Sequence, residues 1–322
     1  MIRFKEVWKT FPDGNTVVKN LNLEIQEGET LVILGKSGSG KTTTLKLINR
    51  LIDLTKGELY VKGKNILSID PIYLRRNIGY AVQEIGLFPH MTVEDNIAIV
   101  PKLLGWDRKK IDDRIDQLME MLGLDPSEFR KRYPLKLSGG QRQRIGVARA
   151  LAADPPIILM DEPFGALDPM TREKTQKEFL ELESKIKKTI VFVTHDLYEA
   201  VTMGDRIALM DQGELLQLTT PRAFVENPPS AFSDEFLGQH RFQLSLLTKT
   251  IIECMDPSSN MKRKALPRLN PRSTLIEALN TFKQTQTKSL PVYAGSSYRG
   301  ELKKERLLDQ VVDMLTKESQ GQ

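Results

Sequence analysis

The hydrophobic and polar residues of the first fifty positions follow patterns that predict strands first and then a helix. Leu21, Leu23 and Ile25 alternate with polar residues, which is the pattern of a half-buried strand. Residues 30–34 form a continuous apolar run, typical of a strand covered on both faces of a parallel sheet. A glycine-rich loop follows this run, and the pattern then predicts a helix over residues 41–51. This part of the chain therefore predicts α/β structure.

The rest of the first 220 residues extends this pattern. Apolar runs at residues 157–160 and 190–193 predict two further buried strands, and a charged amphipathic helix is predicted over 173–187 between them. Residues 207–218 predict a hairpin, and residues 92–153 predict helices. The apolar residues that recur at helical spacing are Ile111, Ile115, Leu118, Met119 and Leu122. We expect a mixed sheet with helices and a mostly helical insertion.

The pattern changes near residue 238, where we expect a domain boundary. Residues 1–238 carry the strands and helices described above, and residues 239–265 are interpreted as a linker. Residues 266–316 predict a short α/β segment, and residues 317–322 are left as a tail. The sequence therefore predicts one large domain followed by a small one.

Composition narrows the class of protein. The chain has 322 residues, of which 40% are hydrophobic and 28% charged, enough for one large core and a second small one. The single cysteine, Cys254, excludes an intramolecular disulfide, and the N-terminal residues lack the apolar core of an export signal. The apolar runs are far shorter than the roughly 20 residues of a membrane-spanning helix. We therefore expect a cytoplasmic protein that reaches a membrane only through a partner or a surface.

The charge is unevenly distributed along the chain. Residues 1–238 carry 33 Lys and Arg against 34 Asp and Glu, whereas residues 239–322 carry 14 against 8. The net positive charge therefore comes from the C-terminal quarter. Such a segment favours nucleic acid, an anionic membrane surface or a solvated basic face. Because it lacks the interleaved aromatic residues of single-strand binders, we expect no nucleic-acid partner.

A phosphate-binding loop lies between the apolar run 30–34 and the helix predicted after it. Residues 35–42 read Gly-Lys-Ser-Gly-Ser-Gly-Lys-Thr, which matches the P-loop pattern. Its glycines let backbone N–H groups converge on phosphate oxygens at a helix N-terminus. We expect Lys41 to reach the β- and γ-phosphates of ATP and the Thr42 hydroxyl to bind Mg²⁺. The predicted ATP-binding residues of this loop are Gly35, Lys36, Ser37, Gly38, Ser39, Gly40, Lys41, Thr42 and Thr43.

Two acidic residues follow the apolar run 157–160. Asp161 closes the run, where a carboxylate at the carboxyl edge of a buried strand is suited to the Mg²⁺ shell. Glu162 follows at once and is our candidate for the general base that activates water. Paired acids at a strand end can instead cap a helix, but next to a P-loop the catalytic interpretation is favoured.

The pentapeptide Leu-Ser-Gly-Gly-Gln at residues 137–141 distinguishes this chain from the kinases, GTPases and helicases that also carry P-loops. With this motif the sequence resembles the ABC transporter ATPases over residues 1 to about 238. The resemblance implies an α/β P-loop NTPase fold with a mixed-sheet core, an antiparallel β subdomain and a helical subdomain. It also implies a homodimer in which the pentapeptide binds ATP held by the opposite subunit. The residues implied in that contact are Ser138, Gly139, Gly140 and Gln141.

Four further positions match this family. Gln83 ends a strand-like segment, and the resemblance implies that it joins the Mg²⁺ site to the membrane partner. Asp168 is implied at the dimer interface. His195 follows the run 190–193 and is implied as a hydrogen-bond partner of the γ-phosphate and water. Phe11 lies 24 residues before Gly35, where the family places an aromatic ring on adenine; an ordinary core aromatic is the less favoured alternative.

Weaker features indicate the group of transporters. Residues 83–93, 100–106 and 163–169 look like importer subunits and most resemble the quaternary amine group. That group imports osmoprotectants such as glycine betaine, carnitine, choline or proline-type solutes. The resemblance implies a separate membrane permease, a substrate-binding protein and a place at the cytoplasmic face of a bacterial cell membrane.

Residues 266–316 are similar to one cystathionine β-synthase (CBS) motif, an appendage of the osmoprotectant importers. Leu275, Ala278, Leu279 and Phe282 predict a helical face, and residues 290–293 a strand. Lys303 and Arg306 occupy positions where the family often has ribose-binding residues, which does not favour nucleotide sensing. The basic residues of this part either contact anionic lipid in a salt-dependent way or form a solvated face. They are Lys262, Arg263, Lys264, Arg268, Lys303, Lys304 and Arg306.

Alternative functions stay open at this point. The cargo could be another small solute, such as an amino acid or a polyamine. The chain could also be a non-transport ABC ATPase of DNA repair or translation, but those proteins usually carry two fused ATPase units or a long coiled coil. A catalytically inactive subunit is disfavoured because Glu162 and His195 are both present.

Overall fold

The structure is a computed structural model that describes residues 1–82, 86–165, 167–228, 231–257 and 267–319. Within these ranges, every helix is too short or too polar to cross a membrane. The chain divides into two compact units, Met1–Thr219 and Thr220–Gln322.

The first unit contains ten strands and eight α-helices among its described residues. The strands are β1 (Ile2–Thr10), β2 (Thr16–Ile25), β3 (Thr30–Leu34), β4 (Lys56–Val61), β5 (Lys64–Asn65), β6 (Ile78–Ala81), β7 (Ile157–Asp161), β8 (Thr189–Thr194), β9 (Arg206–Asp211) and β10 (Glu214–Thr219). The helices are α1 (Lys41–Ile48), α2 (Pro71–Arg76), α3 (Val93–Leu103), α4 (Arg108–Met121), α5 (Pro126–Phe129), α6 (Gly139–Leu151), α7 (Pro169–Ile186) and α8 (Leu197–Met203).

A six-stranded sheet with the order β10-β9-β3-β8-β7-β6 forms the centre of this unit. Its strands from β9 to β6 are parallel, and β10 pairs antiparallel with β9. Every residue of β3, β7 and β8 is buried, as the continuous apolar runs predict. The expected mixed sheet is therefore confirmed.

A second, antiparallel sheet has the order β2-β1-β4-β5. Its alternating inward residues, such as Phe4 and Leu21, share one hydrophobic core with Ile33 and Leu159 of the large sheet. Burial of this common face holds the two sheets together. The loop after β3 and helix α1 are thereby fixed between them.

Helices α3 to α6 occupy the region predicted to be helical. The inward face of α4 is formed by Ile111, Ile115, Leu118 and Met119, all buried as their spacing predicts. The Arg130 guanidinium joins α3 and α4, because it contacts the carboxylates of Glu94, Asp112 and Asp116.

The second unit is built from short helices and one hairpin. Its elements are α9 (Pro221–Glu226), α10 (Ala231–Leu237), α11 (Arg241–Thr248), α12 (Leu275–Thr285), β11 (Ser289–Ala294), β12 (Ser297–Lys303) and α13 (Lys304–Ser319). Phe282 of α12 and Leu290 of β11 lie in its core, so the predicted helical face and strand are confirmed. Gly300 has φ +143°, and a Cβ there would collide with the backbone carbonyl of Asp256, so this position requires glycine.

The observed boundaries differ from the sequence-based ones in two places. The compact units meet at Thr219/Thr220, whereas the composition places the boundary near residue 238. Part of the expected linker 239–265 is helix α11, and Leu244 and Ile251 in that stretch are fully buried. Tertiary burial of these side chains gives structure to a segment whose local pattern is weak. Residues 258–266 lie outside the described residues.

Candidate active site

The residues predicted to bind phosphate and to activate water lie where three neighbouring parallel strands end. β3, β8 and β7 are adjacent and in register, so their carboxyl ends meet at one edge of the sheet. The glycine-rich loop follows β3, His195 follows β8, and Asp161 is the last residue of β7. Open α/β sheets bind their ligands at this edge. Three segments far apart in sequence are thereby brought together.

The loop after β3 is tightly enclosed by backbone. α1 begins at Lys41, and its N-cap Gly40 has φ +96°. A Cβ on Gly40 would collide with the Val17 carbonyl oxygen, and one on Gly35 with the Met210 carbonyl oxygen. Only glycine fits at both positions, and the loop therefore presents backbone N–H groups at the start of α1.

Lys41 is held inside this loop. Its ammonium group donates to the carbonyl oxygens of Gly35 and Lys36, each at 2.8 Å, and the residue is only 5% exposed. Burial lowers the pKa of Lys41, while the carboxylates of Glu162 and Asp161 raise it. A cation is thus fixed at the centre of the loop, where a phosphate would need it. The buried Ser39 hydroxyl of the same loop has no hydrogen-bond partner among the described residues.

Thr42 and Asp161, the residues expected to bind Mg²⁺, lie next to each other. The Thr42 hydroxyl donates to Asp161 Oδ1 at 2.8 Å across 119 residues of sequence. Burial raises the pKa of Asp161, and the Thr42 hydrogen bond and the charge of Lys46 lower it. A hydroxyl and a carboxylate fit Mg²⁺, which takes oxygen ligands and usually binds one or two carboxylates together with substrate phosphates. The described residues hold no cluster of three or more His, Cys, Asp or Glu side chains placed to bind a metal ion.

Glu162 and His195 face each other beside this pair. His195 Nδ1 lies 3.4 Å from Glu162 Oε1, and the His195 side chain is 61% exposed. Glu162 has φ +44°, an uncommon conformation for a residue with a side chain, and its N–H donates to Val193 O at 2.9 Å. The strand β8 therefore fixes the backbone from which the Glu162 carboxylate projects.

The pentapeptide forms the start of helix α6. Ser138 is its N-cap, with a capping box in which Gln141 Oε1 accepts from Ser138 N–H at 2.8 Å. A Cβ on Gly140 would lie 2.6 Å from Thr171 Cγ2, so helices α6 and α7 approach each other closely here. Asp168 is the N-cap of α7, and hydrogen bonds from Thr171 lower its pKa.

The remaining predicted residues are placed as follows. Thr43 lies partly buried on α1. Phe11 begins the turn after β1, where its ring is half-buried with the Lys9 ammonium 5.1 Å from the ring centre. Gln83 lies outside the described residues.

Sequence reasoning missed Tyr80. The Tyr80 hydroxyl donates to Asp161 Oδ2 at 3.4 Å, and burial raises the pKa of Tyr80. Its position on the strand-like run 78–82 was the available signal.

This P-loop with its hydroxyl–carboxylate pair at the edge of a parallel sheet defines a P-loop NTPase. The chain belongs to the ABC transporter family of ATP-binding proteins, whose family model matches residues 18–165. It is 46% identical over 292 residues to the choline transport ATP-binding protein OpuBA of Bacillus subtilis, covering 91% of this chain and 75% of that protein. It is 46% identical over 293 residues to the glycine betaine uptake system ATP-binding protein YehX of Escherichia coli, covering 91% and 94%.

Solved structures agree with this assignment. A dimeric ATP-binding cassette in a post-hydrolysis state, bound to ADP and Pi, superposes with a TM-score of 0.61 and 37% identity. The match covers 68% of this chain and 98% of that one. The chain is therefore an ABC-type ATPase whose ATP hydrolysis is coupled to transport, and it binds ATP.

Proposed function

We propose that this chain hydrolyses Mg-ATP to drive import of a quaternary amine osmoprotectant through a separate membrane permease. One observation carries the catalytic part: Lys41, the Thr42–Asp161 pair and the Glu162–His195 pair converge at one sheet edge. Together they supply a phosphate-binding cation, oxygen ligands for a divalent ion and a carboxylate beside an imidazole.

The first proposed roles concern ATP and its ion. The N–H groups of residues 35–43 and the Lys41 ammonium bind the phosphates, and the Phe11 ring stacks on adenine. Thr42, Asp161 and Gln83 hold Mg²⁺ through oxygen atoms. When bound, Mg²⁺ neutralises charge on the β- and γ-phosphates. Burial keeps water away from Lys41 and Asp161 and so strengthens their interactions with the ligand.

The second proposed roles concern water. The Glu162 carboxylate orients the attacking water and accepts its proton, and it is held in place by its backbone bond to β8. His195, whose Nδ1 lies 3.4 Å from Glu162 Oε1, is the hydrogen-bond partner of the γ-phosphate and of the same water. The exposed His195 ring is accessible to a ligand entering from solvent.

We propose that the working unit is a homodimer. Ser138, Gly139, Gly140 and Gln141 would bind the ATP held by the P-loop of the partner, with Asp168 at the interface. The start of helix α6 suits an anion because the first N–H groups of a helix have no partner within it and the positive end of its dipole lies there. The likeness to a solved dimeric cassette supports this arrangement.

The cargo and partners are inferred from relatives. The names of the relatives include choline transport and glycine betaine uptake, and their similarity runs over 91% of this chain. We infer a permease and a substrate-binding protein as partners, and a place at the cytoplasmic face of a bacterial cell membrane. Residues 266–316 of the second unit, which include α12, β11 and β12, are proposed as a single CBS-like motif.

Uptake by cells tests the cargo. A strain from which the gene is deleted is complemented with the wild-type chain or with Glu162→Gln, and uptake of labelled solutes is measured after a salt upshift. We expect wild type alone to restore uptake of glycine betaine, carnitine or choline. Restored uptake of an amino acid or a polyamine instead, with the quaternary amines unaffected, would refute the cargo while leaving the ATPase intact.

A further inference from the structure

A buried carboxylate lies behind His195 and is not explained by the proposed chemistry. Glu199 of helix α8 is only 4% exposed. Its Oε1 accepts from Gln176 Nε2 of α7 at 2.9 Å, and its Oε2 accepts from the Thr194 hydroxyl at 2.5 Å. Thr194 is the residue directly before His195. We propose that Glu199 is a positioning residue that holds His195 against Glu162.

The Thr194 hydroxyl forms a hydrogen bond across His195 to the next residue. Thr194 ends β8 and is fully buried. Its hydroxyl donates to Glu199 and accepts from the Asp196 N–H at 3.0 Å, so it connects the residue before His195 to residues after it. The carboxylate of Glu199 fixes the direction of this hydroxyl, because an ionised carboxylate accepts only.

The residue after His195 is anchored as well. Asp196 is the N-cap of α8 and accepts from the N–H groups of Tyr198 at 2.8 Å and Glu199 at 3.2 Å. Its other oxygen lies 3.9 Å from the Arg172 guanidinium. Arg172 and Gln176 are one turn apart on α7, so the same helix contacts Asp196 directly and Thr194 through the carboxylate of Glu199.

His195 depends on these anchors because packing does not hold its ring. The side chain is 61% exposed, and its Nδ1 lies 3.4 Å from Glu162 Oε1. An exposed ring that must meet a carboxylate at a set distance relies on its backbone for position. The hydrogen bonds around Thr194 and Asp196 supply that position.

The use of a carboxylate at this buried place also needs a reason. Burial raises the pKa of Glu199, and the hydrogen bonds from Thr194 and Gln176 lower it. An apolar residue of similar volume would avoid the desolvation of the charge. A fully bonded buried carboxylate instead selects one arrangement of its partners. That selectivity is of use where a catalytic side chain has to be aimed.

The inference rests on the proposed role of His195, and kinetics can separate the two. We expect Glu199→Ala to lower kcat for ATP hydrolysis at least about tenfold and to change KM for ATP less than about twofold. A displacement of about 1 Å at a catalytic group can cost up to about 100-fold in rate. In a His195→Ala background, Glu199→Ala should lower kcat no further, because both changes remove the same contribution.

Two further variants separate positioning from stability. Glu199→Gln keeps an oxygen for Thr194 and can donate to a reoriented Gln176 amide, so its kcat should stay within about threefold of wild type. Glu183→Ala is the matched control, since Glu183 of α7 accepts from the Thr30 hydroxyl at 2.9 Å at the start of β3. It removes a similar hydrogen bond at the opposite end of the sheet and should leave kcat unchanged.

The outcomes are distinct. Wild-type kcat in Glu199→Ala, or a kcat loss that persists unchanged in the His195→Ala background, would overturn the positioning role. Wild-type kcat in His195→Ala would reject the proposed role of His195 itself, and the positioning role with it. If Glu199→Ala does not fold, Gln176→Ala replaces it, since it removes one of the two bonds to Glu199. A kcat of Gln176→Ala no lower than that of Glu183→Ala would then count against the proposal.

Discussion

The close approach of helices α6 and α7 predicts the effect of one added methyl group at Gly140. In Gly140→Ala the new Cβ would lie 2.6 Å from Thr171 Cγ2, whereas carbon atoms prefer a separation of about 3.5–4.0 Å. The helices must therefore separate by about 1 Å or the side chain must move. Overpacking of this kind typically costs about 1–3 kcal/mol, and better helix propensity returns at most about 0.5–1 kcal/mol. We expect a net loss of stability of about 1–2 kcal/mol.

A compensating change tests this reasoning. Thr171→Ser deletes the methyl group that causes the overlap, so the double variant should regain about 1 kcal/mol relative to Gly140→Ala, a coupling typical of residues in contact. Gly139→Ala is the matched control, because its nearest neighbour, Leu167 Cδ2, would lie at an ordinary 3.5 Å. Urea unfolding followed by tryptophan fluorescence suits the measurement, since both tryptophans, Trp8 and Trp106, lie in the first unit.

Two results would refute the steric explanation. The first is a double variant no more stable than Gly140→Ala. The second is a Gly139→Ala variant that is destabilised as strongly as Gly140→Ala. Either result would mean that the cost arises from the helix start and not from contact with α7.

Glu162→Gln should bind Mg-ATP normally but release phosphate about 10²–10⁴ times more slowly, and near-normal release would reject Glu162 as the base. Mixing Lys41→Ala chains with Ser138→Arg chains should restore ATP binding at one composite site per heterodimer, and mixtures that bind no more ATP than either parent count against such sites. Gly300→Ala should lower the melting temperature of the second unit and leave the ATPase rate intact, because its strain lies at a backbone carbonyl of that unit. If basic contacts with lipid inhibit the ATPase at low salt, removing residues 220–322 should flatten the salt activation of ATPase activity in anionic vesicles. An unchanged activation curve would mean that these basic residues form only a solvated face.

The local pattern of the sequence determined the elements that carry the chemistry. The uninterrupted apolar runs of β3, β7 and β8 can only be covered on both faces, so a parallel sheet with acidic and glycine-rich carboxyl ends follows from them. The P-loop and the Leu-Ser-Gly-Gly-Gln pentapeptide are contiguous motifs, so they can be recognised in the sequence without knowledge of the fold. The P-loop residues, Asp161 and Glu162 were proposed in this way, whereas the family resemblance implied Gln83, Asp168, His195 and Phe11.

Only the tertiary structure decided the distances between site residues and which polar side chains are buried behind them. Thr42 and Asp161 are 119 residues apart, and only the register of the sheet brings their oxygens to 2.8 Å. Glu199 looks like an ordinary surface residue in sequence, because nothing local marks a glutamate as buried. The boundary at Thr219/Thr220 was equally invisible, since α9 to α11 are short and gain their order from burying residues such as Leu244. Periodicity records which face of an element is apolar, whereas burial and contact depend on what the rest of the chain places against that face.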